Sequence, residues 1–229
     1  MFKAEETGVI IDIVDGKLPE SYEFPIPDHR SNKPTILFDQ QEKRTHLFQK
    51  VIESKTSGSA FSIAIPNEIA LALSVSGKAE RQAMALLEQL SQVADHADKA
   101  IYDQEVVHAY DYLECVQTCI VFSYKSVESF CNASIPDDFV FEKTNHKGVV
   151  ENYPKTAIER WISTSEKVSE ILPAILKTQN PKNEPFWANF KNLERLRNEI
   201  IHSKSSSNAD VIAELFSEKI GEYLSLIHI

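Results

Sequence analysis

The stretch FWANFKNLERLRNEIIHSK, residues 186–204, decides how the rest of the chain is interpreted. Its apolar residues recur at spacings of three and four, which predicts a helix with one buried face. Three polar residues, Arg197, Asn198 and His202, lie within this pattern. On a regular helix Asn198 and His202 are one turn apart and share a face, whereas Arg197 lies about 140° round the helix from His202. Arg197 must therefore reach over with its long side chain, or the helix must bend.

The segment LRNEIIH resembles the signature of the HEPN superfamily (higher eukaryotes and prokaryotes nucleotide-binding domain), an arginine followed by a small polar residue and, a few positions on, a histidine. An upstream segment agrees with this. YKSVESFCN, residues 124–132, is similar to the alanine-x-glutamate-x-phenylalanine-x-asparagine helix of many members, with Glu128 between Val127 and Ser129. The resemblance covers residues 103–223, about half of the chain.

The resemblance implies a mainly α fold, an antiparallel HEPN-like helical bundle. We expect the bundle at residues 77–229 and a small mixed α/β segment at residues 1–76. The last residues resemble a translated sequencing adapter, so we also expect that the natural C-terminus is missing.

Apolar periodicity predicts further helices in the second part of the chain. Their ranges are 78–99, 104–132, 156–177 with a kink at Pro173, and 209–226 with Asn208 as a cap. The polar stretch 139–153 is predicted as a loop with a short helix.

The first part is predicted as a mixture of strands and helix. Strands are expected at 8–14, 35–38 and 61–65, although Pro66 and Asn67 could equally start a helix; helical spacing occurs at 40–54.

Composition limits the classes of function. The net charge of −10 counts against general affinity for nucleic acid, which requires basic residues to displace counterions from phosphates. The segment 191–204 is locally positive, because Lys191, Arg195, Arg197 and Lys204 outnumber Glu194 and Glu199. Such focusing suits a site for one phosphate, although ordinary surface charges on a helix explain the count equally well.

No stretch is apolar enough for a transmembrane span, and the three cysteines have no paired spacing. A cytoplasmic protein is the simplest interpretation. Cys115 and Cys119 are interpreted as buried apolar residues, and we expect neither a metal nor a cofactor.

The residue types of the trio suit RNA cleavage without a metal. Histidine can act as the base for the 2′-hydroxyl or as the acid for the leaving 5′-oxygen, since its pKa lies near neutrality. A guanidinium can stabilise the charged phosphorane. Asn198 can orient His202 or a phosphate oxygen. The catalytic residues are therefore predicted to be Arg197, Asn198 and His202, with Glu128 and Lys204 in support. Glu128 either pairs with Arg197 or orders it, or it points to solvent.

One histidine is a poor substitute for both acid and base. HEPN proteins commonly dimerise with their two motifs facing a shared cleft, so the resemblance implies a homodimer that acts on RNA. It also implies a toxin or phage-defence setting with an antitoxin or another protein partner. The alternatives are a non-catalytic HEPN module that binds nucleotide or a protein, and a purely structural bundle whose N-terminal segment does the recognition. In a structural role, Arg197 would pair with Glu194 or Glu128, and His202 would cap a carbonyl.

Overall fold

The computed structural model describes residues 6–19, 28–56, 58–94, 103–202 and 208–217. The chain forms two compact units, Met1–Leu71 and Ala72–Ile229. The division falls within the first helix, so each unit is described by itself.

The first unit contains an antiparallel sheet. Its strands are β1 (Glu6–Asp15), β2 (Thr35–Asp39), β3 (Arg44–Thr56) and β4 (Ser59–Ala64). Strand β3 is central: β1 lies along one side of it, and β2 and β4 pair with its first and second halves on the other. Leu47 of β3 pairs with Ile36 and is buried. The helix predicted at 40–54 is therefore wrong, and the three predicted strands are confirmed.

Helix α1 (Glu68–Ala94) begins earlier than the predicted residue 78. Asn67 caps it, because its Oδ1 accepts hydrogen bonds from the backbone nitrogens of Ile69 (3.1 Å) and Ala70 (3.2 Å). The alternative of a helix start after Pro66 is thus confirmed together with the strand before it.

In the second unit, α1 packs with three further helices around the larger apolar core. These are α2 (Asp103–Ser134), α6 (Phe186–Ile201) and α7 (Asn208–Leu215). The core takes Val116 and Ile120 from α2 and Leu193 and Leu196 from α6. Cys115 and Cys119 are buried in it, as predicted. Of the two tyrosines at the start of α2, Tyr110 is exposed and Tyr112 is buried.

Between α2 and α6 the chain forms a hairpin and a broken helix around a second apolar cluster of Ile135, Ile158, Ile162 and Ile171. The elements are β5 (Val140–Thr144), β6 (Val150–Pro154), α3 (Lys155–Trp161), α4 (Thr164–Glu166), a π-helical turn (Lys167–Ile171), α5 (Leu172–Leu176) and a 3₁₀ turn (Pro181–Asn183).

Two local predictions fail here. The stretch 139–153 forms paired strands instead of a loop with a short helix. The segment 156–177 is interrupted after Trp161 and widened at Lys167–Ile171, whereas Pro173 lies in the first turn of α5, where proline is tolerated.

The predicted fold class is wrong. The described residues contain one four-stranded and one two-stranded antiparallel sheet beside the helices, which makes the protein mixed α/β and not a mainly α HEPN-like bundle. The second sheet lies inside the part predicted to be a helical bundle. None of the described helices is both long and apolar enough to cross a membrane.

Candidate functional site

Helix α6 carries all three predicted catalytic residues, and its ends fix where they lie. It begins after Pro185, and the Trp187 backbone nitrogen donates to the Glu184 carbonyl at 3.0 Å. Leu193 and Leu196 bury one face. His202 is the residue that ends the helix, with φ −118° and ψ 43°. The trio therefore occupies the last turn and a half of α6.

Asn198 and His202 are one turn apart, as predicted. The His202 backbone nitrogen donates to the Asn198 carbonyl at 2.9 Å, and both side chains are exposed. The Arg197 Nη1 donates to the Asn198 Oδ1 at 2.8 Å. Asn198 thus orients the guanidinium, which differs from the predicted contacts of its amide with His202 or a phosphate.

The Arg197 guanidinium lies over the ring of Tyr124, with 5.2 Å between Cζ and the ring centroid. Tyr124 belongs to α2 and is buried. Its hydroxyl donates to the Glu194 Oε1 at 2.9 Å. Packing between α2 and α6 therefore gives Arg197 an aromatic neighbour that spacing along α6 could not reveal.

Glu194 collects hydrogen bonds from several elements. Besides Tyr124, Ser165 of α4 donates to its Oε2 at 2.6 Å, and Lys191 forms an ion pair with it. Burial alone would raise the pKa of the Glu194 carboxyl, but the hydrogen bonds from Lys191, Ser165 and Tyr124 outweigh burial and hold this pKa below its ordinary value. Glu194 is therefore an ionised anchor beneath the tyrosine.

The basic residues of α6 differ in their partners. Lys191 is paired with Glu194, and Arg195 is paired with Glu199 and with Glu214 of α7. Among the described residues, no carboxylate pairs with Arg197. The local positive charge expected from the sequence is therefore concentrated at Arg197, and Lys204 lies outside the described residues.

Glu128 is half-buried and forms no ion pair with Arg197 among the described residues. Its charge acts on Lys167 instead, a fully buried lysine of the π-helical turn. The Lys167 Nζ donates to the Asn132 Oδ1 at 2.9 Å and to the Glu159 carbonyl at 3.1 Å. Burial lowers the pKa of Lys167, and the charge of Glu128 opposes this shift.

Lys167 was missed at the level of the sequence. Its spacing of four from Ile171 placed it on the apolar side of the segment 156–177, and Glu128 and Asn132 are one turn apart on α2. These two patterns together could have suggested a buried lysine that faces α2.

One group of side chains in the described residues has donors that could hold a metal ion. The ligand atoms of Asp39, Glu42 and His46, at the β2–β3 turn, lie within 4.8 Å of one another. Glu42 is exposed and the other two are half-buried. Exposed acidic groups are common in proteins without a bound ion. The three cysteines are buried, and burial raises the pKa of the Cys131 thiol to about 11.

Comparisons of the chain with protein-family models, with curated proteins and with solved structures find no match. They identify no HEPN domain, so the resemblance depends on the segments LRNEIIH and YKSVESFCN alone.

Proposed function

We propose that the protein is a metal-independent endoribonuclease of the HEPN type with Arg197, Asn198 and His202 as its catalytic residues. One observation carries this proposal. Arg197 is the basic residue of α6 that has no carboxylate partner among the described residues, and exposed His202 ends the same helix. An oriented guanidinium that no described carboxylate neutralises can bind a phosphate.

The chemistry divides between the two side chains. A His202 imidazole takes the proton from the 2′-hydroxyl, which then attacks the neighbouring phosphorus. The 5′-oxygen leaves with a proton from an acid, and the Arg197 guanidinium stabilises the negative charge that builds up on the phosphorane oxygens. Asn198 contributes by holding the guanidinium.

A base and an acid are both required, and each chain supplies one histidine of the motif. We therefore place the reaction in a homodimer, in which Arg197 and His202 of two copies share one cleft on RNA. Measurement of the mass in solution by sedimentation is expected to give a dimer. A strictly monomeric protein that still cleaves RNA would contradict this arrangement.

The biological setting follows from the HEPN resemblance and not from the geometry. We propose a cytoplasmic toxin or phage-defence nuclease that an antitoxin or other protein partner restrains.

A second function, non-catalytic binding of a nucleotide or a protein partner, is favoured by one observation. Arg197 and Asn198 form a hydrogen-bonded pair that could hold a phosphate with no help from His202.

The test compares wild type with His202→Ala and with His146→Ala, in which another exposed histidine, in the β5–β6 turn, is removed. Total RNA and a labelled single-stranded RNA are incubated with each protein in EDTA. We expect wild type and His146→Ala to cleave, and His202→Ala to lose about 100-fold or more of the rate, as removal of an acid–base group does.

Loss of RNA to the same extent with all three proteins, or cleavage that requires a divalent ion, would contradict the nuclease. RNA or nucleotide binding by wild type without any cleavage would favour the binding module instead.

A further inference from the structure

The orientation of Arg197 depends on residues that take no part in the proposed chemistry. An arginine on a helix surface normally samples many rotamers, and fixing one of them costs conformational entropy. Here two contacts oppose that freedom: the hydrogen bond from Nη1 to the Asn198 Oδ1 and the Tyr124 ring beneath the guanidinium. Stacking on an aromatic face is a geometry that guanidinium favours.

The Tyr124 ring is itself held on its edge and its face. At the edge, its hydroxyl is bonded to Glu194, whose side chain is only 13% exposed. On the face, Phe190 stacks on the ring at 6.3 Å between centroids and 11° between planes. Because the Tyr124 ring is held by Glu194 and Phe190, it provides a fixed surface for the Arg197 guanidinium.

The hydrogen bonds that hold Glu194 extend from α6 to α4. Glu194 accepts from Ser165, and Ser165 in turn accepts from the Lys191 Nζ at 2.9 Å. Three elements, α2, α4 and α6, therefore meet at the carboxylate that holds the tyrosine.

We propose that Tyr124 is a positioning residue for Arg197: its ring, anchored by Glu194, holds the guanidinium so that the N–H groups not bound by Asn198 are presented to a phosphate. This proposal rests on the proposed ribonuclease function for its kinetic consequence, but the ordering of Arg197 can be measured without any reaction.

The first arm of the experiment is kinetic. Tyr124→Leu removes the ring, and Tyr124→Phe keeps the ring but loses the hydrogen bond to Glu194. We expect Tyr124→Leu to lower kcat about 10-fold with little change in KM, since contacts between a cation and a ring are of this size. Tyr124→Phe should retain most of the activity. Thermal melting of each variant shows whether it is folded.

A double-mutant cycle separates positioning from a structural role. If Tyr124 acts through Arg197, Tyr124→Leu should cause no further loss of rate in the Arg197→Ala background. An equal loss of rate in both backgrounds would overturn the proposal.

The second arm measures order directly. The Nε–H signal of Arg197 in an NMR spectrum should be well ordered and shifted by the ring in wild type and in Tyr124→Phe. In Tyr124→Leu it should become mobile and lose that shift. An Arg197 signal equally mobile in wild type and Tyr124→Leu would overturn the proposal even if RNA is cleaved. Absence of cleavage by wild type, with the NMR result as expected, would instead overturn the nuclease and leave the positioning role standing.

Discussion

Arg195 and Arg197 are two residues apart on the same helix, yet their surroundings are opposite. Arg195 donates from Nη1 to Glu199 at 3.1 Å and also binds Glu214, which ties α6 to α7. Arg197 faces about 200° away round the helix, on an aromatic ring and an amide. The charge of Arg195 is neutralised by two carboxylates, whereas no described carboxylate neutralises the charge of Arg197.

The difference shows how an acidic protein can retain a site for an anion. The protein has a net charge of −10, so carboxylates are abundant, and both Lys191 and Arg195 form ion pairs with them. Arg197 is held by groups that orient it without neutralising it. The partners of each arginine therefore distinguish a structural arginine, Arg195, from a candidate functional one, Arg197, which their positions along the helix alone do not.

Removal of each arginine in turn is the most direct test of the difference between Arg195 and Arg197. Arg197→Ala should lower the rate of RNA cleavage about 100-fold, as removal of a group that stabilises transition-state charge does. Arg195→Ala is the matched control and should retain cleavage. Rates measured on one labelled RNA in EDTA test this, and an equal loss in both variants would remove the distinction between the two arginines.

The free energy of unfolding should be affected in the reverse order, more by Arg195→Ala than by Arg197→Ala. Arg195→Ala leaves Glu199 and Glu214 without their shared cation, so its free energy of unfolding should fall by about 1 kcal/mol. Arg197→Ala loses the contact with the Tyr124 ring and one exposed hydrogen bond but no ion pair, so its free energy of unfolding should fall by less, about 0.5 kcal/mol. Urea unfolding followed by circular dichroism measures both values. A larger loss in Arg197→Ala would mean that its stacking on Tyr124 is chiefly structural.

The pH dependence of the unfolding free energy tests the role of Glu194, which anchors the tyrosine beneath Arg197. The pKa of Glu194 is lower in the folded protein than its ordinary value of 4.5, so the unfolded chain takes up the proton first as the pH falls. The contribution of Glu194 is complete above about pH 4.5 and is lost as the pH falls through the lower folded pKa. Glu194→Gln should flatten that part of the curve of unfolding free energy against pH. An unchanged curve would show that Glu194 does not anchor Tyr124 through its charge.

The sequence predicted those elements whose apolar pattern matches a single buried face. Helix α6 begins at the predicted Phe186, and α2 corresponds to the predicted 104–132. Strand β3 was predicted as a helix because Leu47, Val51 and Ile52 fit helical spacing. In the sheet, β3 is paired along both edges, so tertiary pairing overrides the local pattern. The β-branched residues Thr45 and Val51 were the signal for a strand.

The β5–β6 hairpin was missed for a different reason. Its turn depends on Asn145, whose Oδ1 accepts from the backbone nitrogens of Lys147 and Val149, and on Gly148 with φ 77°. Such turn chemistry is local and can be read from the sequence. The strands on either side are short and mostly exposed, and their sequences, VFEKT and VENYP, do not alternate regularly between apolar and polar residues.

At the candidate site, helical geometry was sufficient to place Asn198 and His202 on one face. It could not show that Tyr124 lies under Arg197, because that contact depends on how α2 packs against α6. Nor could it show that the charge of Glu128 acts on the buried Lys167, since Lys167 approaches from a third element.

The π-helical turn at Lys167–Ile171 follows one contact of this helical segment and ends in another. Before the turn, Ser165 donates to the Glu194 carboxylate, and at its last residue Ile171 packs in the second apolar cluster. A widened turn accommodates an extra residue, which shifts the rotational phase of α5 relative to α4. The extra residue thereby lets Ser165 and Ile171, six positions apart, contact different parts of the same unit: the Glu194 carboxylate and the second apolar cluster.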